Sequence, residues 1–355
     1  MGVYVFLFAL TTIATLIDKK DKKKILYSFI VLSFILIVGL RDIGVGTDTI
    51  NYYNGYLYSM GERIEPLFLL IRKICRDLGF SVNTYFVVLA ALNFMPLWYV
   101  IRRESKNCGF SLLIFYTFSN AFFFETFNTI RACLAISYFM AFCYFLQNEQ
   151  LKKAILLAII AVLFHYSTII LMLFVIPIYF IKDYSFKFVW IAVVCSFIIG
   201  MFGGNFAQGI SNKISTSVLF LSDNTLIQNY YNYVDNFRGS SWNLIGKLTT
   251  LLPFSIFAIL TYDNINKTTI YYRLFTVGVI LNNLFISAAF TYRITAFLFI
   301  PLIILLPNAY ANASFNKRKT IKGCTLFMLL WFVYKLATAS ELSFSEAFPY
   351  KSCLD

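Results

Sequence analysis

Residues 2–17, GVYVFLFALTTIATLI, form an unbroken apolar run; residues 18–24, DKKDKKK, follow at once, and ILYSFIVLSFILIVGL at 25–40 is apolar again. Each apolar run approaches the length of a bilayer crossing, and Lys and Arg accumulate in cytoplasmic connections because they translocate poorly. The three stretches therefore read as two membrane helices joined on the cytoplasmic side. No basic segment precedes the first run, the reverse of a signal peptide, so the N-terminus is expected outside.

The pattern continues through the chain. Apolar runs fall at 82–101, 110–125, 130–147, 151–164, 166–181, 187–203, 244–262, 271–291, 293–311 and 321–337. The 355 residues are 59% apolar and 13% charged, against about 25% charged in a soluble domain. The mean hydropathy of +0.73 is too high for one buried core to absorb. The expected fold class is an all-α polytopic membrane protein of about 11–12 transmembrane segments. Some are short or broken, and together they form a single integral-membrane domain over 1–355. The net charge of +13 is assigned to cytoplasmic connections at 18–24, 102–109, 148–153, 182–186, 263–270 and 312–320, not to a nucleic-acid partner. Seven scattered cysteines, no Cys-x-x-Cys pair and one histidine argue against a zinc site or a disulfide framework.

This orientation, N-out and C-out, separates the two basic residue types. The cytoplasmic connections are rich in Lys, whereas Arg41, Arg63, Arg72, Arg76, Arg131, Arg238 and Arg293 fall outward. Arginine's planar fork binds phosphate and carboxylate through paired donors. The orientation rule does not account for outward arginines, so they call for a function.

Two outward, extracytoplasmic segments, 41–81 and 204–243, exceed ordinary turn length. The first opens Arg41-Asp42-Ile43-Gly44-Val45-Gly46-Thr47-Asp48. Its glycines are not a nucleotide P-loop, since no Gly-Lys-Ser/Thr ending follows and no strand precedes. Glu65-Pro66-Leu67-Phe68 starts a short helix with proline in its first turn. Leu67, Leu70, Ile71, Ile74 and Leu78 form an apolar face and Arg72, Lys73 and Arg76 a basic one. This is the pattern of a helix lying in the membrane interface, where Arg72 or Arg76 could meet anionic lipid headgroups. In 204–243, Asn229-Tyr230-Tyr231-Asn232-Tyr233 fits an interfacial aromatic belt; a glycan-contacting loop is the alternative.

Ionisable residues at span ends mark polar sites, because charge inside the bilayer costs a few kcal/mol. Arg41, Glu125, Arg131, His165 and Arg293 all fall near the outer ends of spans. Singly, Arg41 and Arg293 could snorkel to headgroups, and Glu125 could pair with Arg131 across one short turn. Five at one depth favour a shared polar cavity. The single histidine lies in Phe164-His165-Tyr166-Ser167-Thr168, a polar break inside a long apolar stretch. Such breaks are tolerated where they line a cavity or are buried in protein.

Taken in order, Gly39-Leu40-Arg41, Gly46-Thr47-Asp48-Thr49 with Tyr52, Glu65-Pro66-Leu67-Phe68, Ile130-Arg131 with Leu134-Ala135, and Phe164-His165-Tyr166-Ser167-Thr168 resemble the EpsG-like branch of the Wzy-type repeat-unit polymerases. The motifs cover about 39–170, with Arg293 a weaker match beyond. Ala132 stands where the family usually has Gln, and Thr168 where it commonly has Ala.

The resemblance implies an integral-membrane glycosyltransferase of the GT-C-like class in the bacterial inner membrane. It would join undecaprenyl-pyrophosphate-linked oligosaccharides outside the cytoplasm for O-antigen, capsule or exopolysaccharide. Membrane lipids and a chain-length regulator of the same pathway are the implied partners, and no nucleic acid is expected. No cofactor is implied: the donor arrives activated, and no Asp-x-Asp occurs. The expected chemistry is metal-independent and inverting, with fixed cations stabilising the departing pyrophosphate. His165, Arg131, Arg293 and Arg41 are the catalytic candidates; Asp48, Tyr52, Glu65, Arg72, Arg76 and Glu125 are the substrate-binding ones. His165 suits the role of base, with Glu125 or Asp48 as alternatives. A lipid-linked oligosaccharide flippase and an O-antigen ligase are the rival functions, a non-enzymatic scaffold a third.

Overall fold

The computed structural model describes residues 1–17, 24–58, 65–118, 122–181, 184–203, 244–263, 266–286, 289–339 and 347–354. Regular structure among them is helical, apart from one isolated antiparallel bridge between Arg41 and Ser352. The outward segment 204–243, with its Asn229–Tyr233 run and Arg238, lies outside the described residues, as does Arg63. The chain divides into two compact units, Met1–Tyr179 with Ile300–Asp355, and Phe180–Phe299.

The first unit opens with α1 (Gly2–Leu16) and α2 (Lys24–Gly39), followed by two short helices, α3 (Thr49–Tyr58) and α4 (Pro66–Asp77). Then come α5 (Val82–Glu104), α6 (Cys108–Thr117), α7 (Ile130–Gln147), α8 (Leu151–Phe164) and α9 (Thr168–Phe180). Side chains at the helix entries explain several starts. The Ser81 hydroxyl accepts from Thr84 N at 3.2 Å to cap α5, and Asn107 Oδ1 accepts from Phe110 N at 2.7 Å to cap α6. Pro66 at the first turn of α4 gives up an N–H that has no helical partner there.

The turn between α7 and α8 sets the geometry of the site. Gln150 N donates to Phe145 O at 2.9 Å and Glu149 N to Leu146 O at 3.2 Å, while Glu149 takes φ 59°. This is a Schellman closure with a non-glycine residue in the left-handed position. It folds α8 back along α7, and the two pack extensively. The start of α7 and the end of α8 therefore lie at the same end of the hairpin.

The second unit packs α10 (Phe186–Phe202) and α11 (Leu244–Leu260) against α12 (Ile270–Leu284), which also contacts α13 (Ala289–Phe299). Asn283, fully buried, ties three of these helices by donating to Ser196 Oγ at 3.0 Å and Ser255 Oγ at 3.1 Å. The first unit resumes with α14 (Leu302–Asn312) and α15 (Phe315–Ala337).

Val82–Glu104, Ile130–Gln147, Ile294–Asn312 and Phe315–Ala337 are long and apolar enough to cross a membrane. Shorter apolar helices accompany them at Gly2–Leu16, Ile25–Gly39, Cys108–Thr117, Thr168–Phe180, Phe186–Phe202 and Leu244–Leu260. Many large apolar side chains face outward, among them Leu173, Phe180, Phe327 and Leu330, as lipid-facing residues do. The protein is an all-helical polytopic membrane protein.

Two spans differ from the sequence expectation. The run 110–125 does not continue as one helix: α6 stops at Thr117, Phe118 turns extended, and Phe123 N bonds back to Phe115 O at 3.3 Å. The run 271–291 ends as a helix at Leu284. The run 293–311 matches the candidate span Ile294–Asn312, in which Pro301 stands at the entry to α14, where its missing N–H and fixed φ are tolerated.

Candidate active site

The α7–α8 hairpin sets Arg131, in the first turn of α7, near His165, which follows α8 in extended backbone (φ −157°, ψ 111°). Between them stands Glu65, immediately before α4, and α4 itself packs on α8. The Arg131 guanidinium donates through Nη1 to Glu65 Oε2 at 2.5 Å, and His165 Nδ1 lies 2.9 Å from Glu65 Oε1. The side chain of Glu65 is 6% exposed, those of Arg131 and His165 32% and 18%. One sealed carboxylate thus anchors two cationic or polar groups that remain open to approach.

Burial alone would push the Glu65 carboxyl up. The His165 hydrogen bond and the Arg131 charge outweigh it and hold the pKa down at about 2. An ionised Glu65 can only accept, so Nδ1 of His165 carries hydrogen. In neutral imidazole that leaves Nε2 as the acceptor. The Ser167 hydroxyl lies 3.1 Å from this Nε2.

Tyr52 on α3 completes the group: its phenol lies close enough to Arg131 to feel the guanidinium charge, and its ring lies 5.6 Å from that of Phe68. Burial raises the phenol's pKa and the Arg131 charge offsets part of the rise. The hydroxyl stays protonated at neutral pH.

The position of α3 depends on the Gly-rich stretch before it. Gly46 takes φ +92°, and a Cβ there would come within 2.7 Å of Asn128 Oδ1. Only glycine meets both conditions comfortably. The turn then lets Thr47 Oγ1 donate to Asn128 Oδ1 at 3.1 Å and Thr49 Oγ1 to Val45 O at 2.6 Å.

Arg41 plays a different part in this geometry. It is 2% exposed, donates to Thr49 Oγ1 at 3.0 Å and Val38 O at 2.5 Å, and lies 4.4 Å over the Phe86 ring. It fastens the end of α2 to the start of α3 and is itself closed to approach.

The other expected residues are placed as follows. Glu125 lies in a short 3-10 turn, Phe124–Phe127, where Oε2 accepts from Thr129 Oγ1 at 3.4 Å; the ion pair formed by Arg131 is with Glu65. Asp48 precedes α3, and its carbonyl accepts from Asn51 and Tyr52 N. Arg72 and Arg76 lie on α4, whose buried residues are Phe68 and Cys75. Leu70, Ile74 and Leu78 of the expected apolar face are 50%, 47% and 62% exposed. Arg293 belongs to α13 in the second unit, and its side chain is outside the described residues. Sequence reasoning did not single out Asn128 or 347–354, which bonds to residues 40–42. A lone amide after an aromatic run was the only signal for Asn128; the second carried none.

This arrangement defines an integral-membrane protein with a carboxylate-linked arginine and histidine at one end of a helical hairpin. The chain belongs to the EpsG family, whose model matches residues 24–352. No curated protein and no solved structure matches it. Family membership suggests a polysaccharide-polymerase-like, glycosyltransferase-type function.

Proposed function

We propose that this protein joins undecaprenyl-pyrophosphate-linked oligosaccharide repeat units on the extracytoplasmic face of the bacterial inner membrane. The observation that carries the reading is Glu65 held between Arg131 at 2.5 Å and His165 at 2.9 Å. A glycosyl transfer from a lipid pyrophosphate needs a fixed cation where charge develops and a group to take the acceptor's proton. Arg131 keeps N–H donors beyond the one given to Glu65, and these meet the pyrophosphate oxygens. His165 Nε2 takes the proton from the attacking sugar hydroxyl.

In this step the acceptor oxygen forms a bond to the anomeric carbon. The anomeric C–O bond to pyrophosphate breaks, and its electron pair leaves with the pyrophosphate. The proton ends on His165, whose imidazolium is stabilised by Glu65. Attack opposite the leaving group inverts the anomeric centre. Charge on the leaving group is met by Arg131, so the proposed reaction is metal-independent. The extracytoplasmic facing rests on the basic connections at the opposite ends of the spans. Exposed Leu70, Ile74 and Leu78 on α4 suit contact with membrane lipids.

The test is gene deletion with gel analysis of surface glycan, paired with polymerisation of a lipid-linked repeat unit by purified protein. A polymerase mutant keeps single repeat units on the final acceptor. Export of no repeat units would mark a flippase, and polymer retained on the carrier lipid a ligase; either result overturns the reading.

A further inference from the structure

We infer that Ala347–Leu354 is a strap that positions Arg41 and α3, and through them Arg131. The last carbonyls of a helix lack partners within it, and at the end of α2 this segment supplies them. Tyr350 Oη donates to Ile37 O at 3.0 Å, Cys353 N to Leu40 O at 2.9 Å, and Ser352 Oγ to the same carbonyl at 3.3 Å. In return Asp42 N donates to Lys351 O at 3.0 Å, completing an antiparallel bridge across Arg41 and Ser352. A helix end and the loop after it are thereby fixed by a segment more than 300 residues away in sequence.

The strap is itself held from the other side. Ala347 is fully buried, and its carbonyl accepts from the Tyr4 hydroxyl of α1. The Tyr4 ring lies 6.2 Å from Phe348 and 6.1 Å from Tyr350. Onward from Arg41 the connection is short: its Nε reaches Thr49, the first residue of α3, and Tyr52 one turn later neighbours Arg131. Strap, Arg41, Thr49, Tyr52 and Arg131 form one continuous chain of contacts. Tyr350 and Cys353 touch no substrate in this scheme; they are positioning residues.

The experiment uses the full-length protein in nanodiscs, with Tyr350→Phe combined with Cys353→Pro. The first change removes the hydroxyl that meets Ile37 O, the second the N–H that meets Leu40 O. Amide exchange across 40–58 should rise about tenfold or more, given that each net hydrogen bond contributes about 1 kcal/mol. Exchange within 134–146 of α7 should stay unchanged. Turnover of lipid-linked repeat units should fall about tenfold at an unchanged KM for the acceptor, as when only a transition-state contact is disturbed. Unchanged exchange at 40–58 overturns the strap, and so does raised exchange with wild-type turnover. Tyr350→Phe alone, which removes one hydroxyl, carries the same test if the double variant accumulates poorly. The turnover arm rests on the proposed function, whereas the exchange arm needs no substrate, so failure of one reading is distinguishable from failure of the other.

Discussion

Glu65 Oε1 lies 2.9 Å from Nδ1 of His165, across a sequence separation of 100 residues. The contact orients the ring and selects its tautomer, so Nε2 is the nitrogen left to accept. It also gives the sole histidine of the chain a partner that its local sequence does not reveal. The proposed acid–base role of His165 is in this way conditional on a residue just ahead of α4.

Glu65→Gln should therefore impair chemistry more than binding. The amide can present its NH₂ to Nδ1 and favour the opposite tautomer, and it no longer balances Arg131. Turnover is expected to fall by about 10²–10³ at normal membrane abundance, measured on purified protein. His165→Gln and His165→Ala should both lose turnover, with Gln retaining binding of the lipid-linked donor. Wild-type activity in His165→Ala would remove this residue from the site.

Arg131 bonds Glu65 beside Tyr52 while keeping donors for a ligand. Lysine offers a single ammonium on a flexible stem and cannot satisfy both neighbours and a phosphate in one plane. Arg131→Lys should abolish most polymer formation without lowering abundance. Arg102→Lys, at the far end of α5, should be silent. Full activity of the Arg131 variant on a surface-glycan gel would refute paired-donor binding.

The depressed pKa of Glu65 sets a pH window. Its carboxyl ionises at about 2 in the folded protein against an ordinary value of 4.5, so the stabilisation is fully present above about 4.5 and is lost as pH falls toward 2. The difference in thermal stability between wild type and Glu65→Gln should not shrink between pH 7 and 5 and should close as pH falls below about 4.5. A gap that closed between pH 7 and 5 would show that Glu65 is not held by its two partners.

Gly46→Ala tests the turn that delivers α3. Left-handed backbone costs a residue with a Cβ about 1–2 kcal/mol, and the added atom would press on Asn128 Oδ1 at 2.7 Å. Turnover should drop with the protein still inserted. Pairing it with Asn128→Ala should recover part of the loss, because the clash goes while the strained φ stays. Unimpaired activity in Gly46→Ala would separate this turn from the site.

Orientation is testable with single cysteines in a cysteine-free background. A cysteine at Asn51 should react with an impermeant maleimide on intact spheroplasts, and one at Lys319 only after permeabilisation; both positions are exposed. Labelling of the Lys319 position in intact cells would invert the proposed facing of the site.

Membrane character was legible from composition alone, because lipid-exposed helices must be apolar along their whole length and need no distant partner to be recognised. The break at His165 was legible for the same reason: polar side chains in an apolar stretch have to be accommodated. Helix α3 was not foreseen, since Thr49–Tyr58 has no apolar face and is held by Thr49, Gly46 and Asn128, contacts that bring together 46–49 and 127–128. Likewise the polarity at Arg41 was visible, but not its enclosure by Phe86, Thr49 and Val38. Sequence determined which segments are apolar enough to lie against lipid and which charges need a reason to be there, because both follow from the cost of transferring each residue out of water. Tertiary structure alone decided that Glu65, and not Glu125, answers Arg131, and that 347–354 closes the end of α2. A hydrogen bond depends on atoms meeting within about 3 Å, and only the packing of the helices sets that distance.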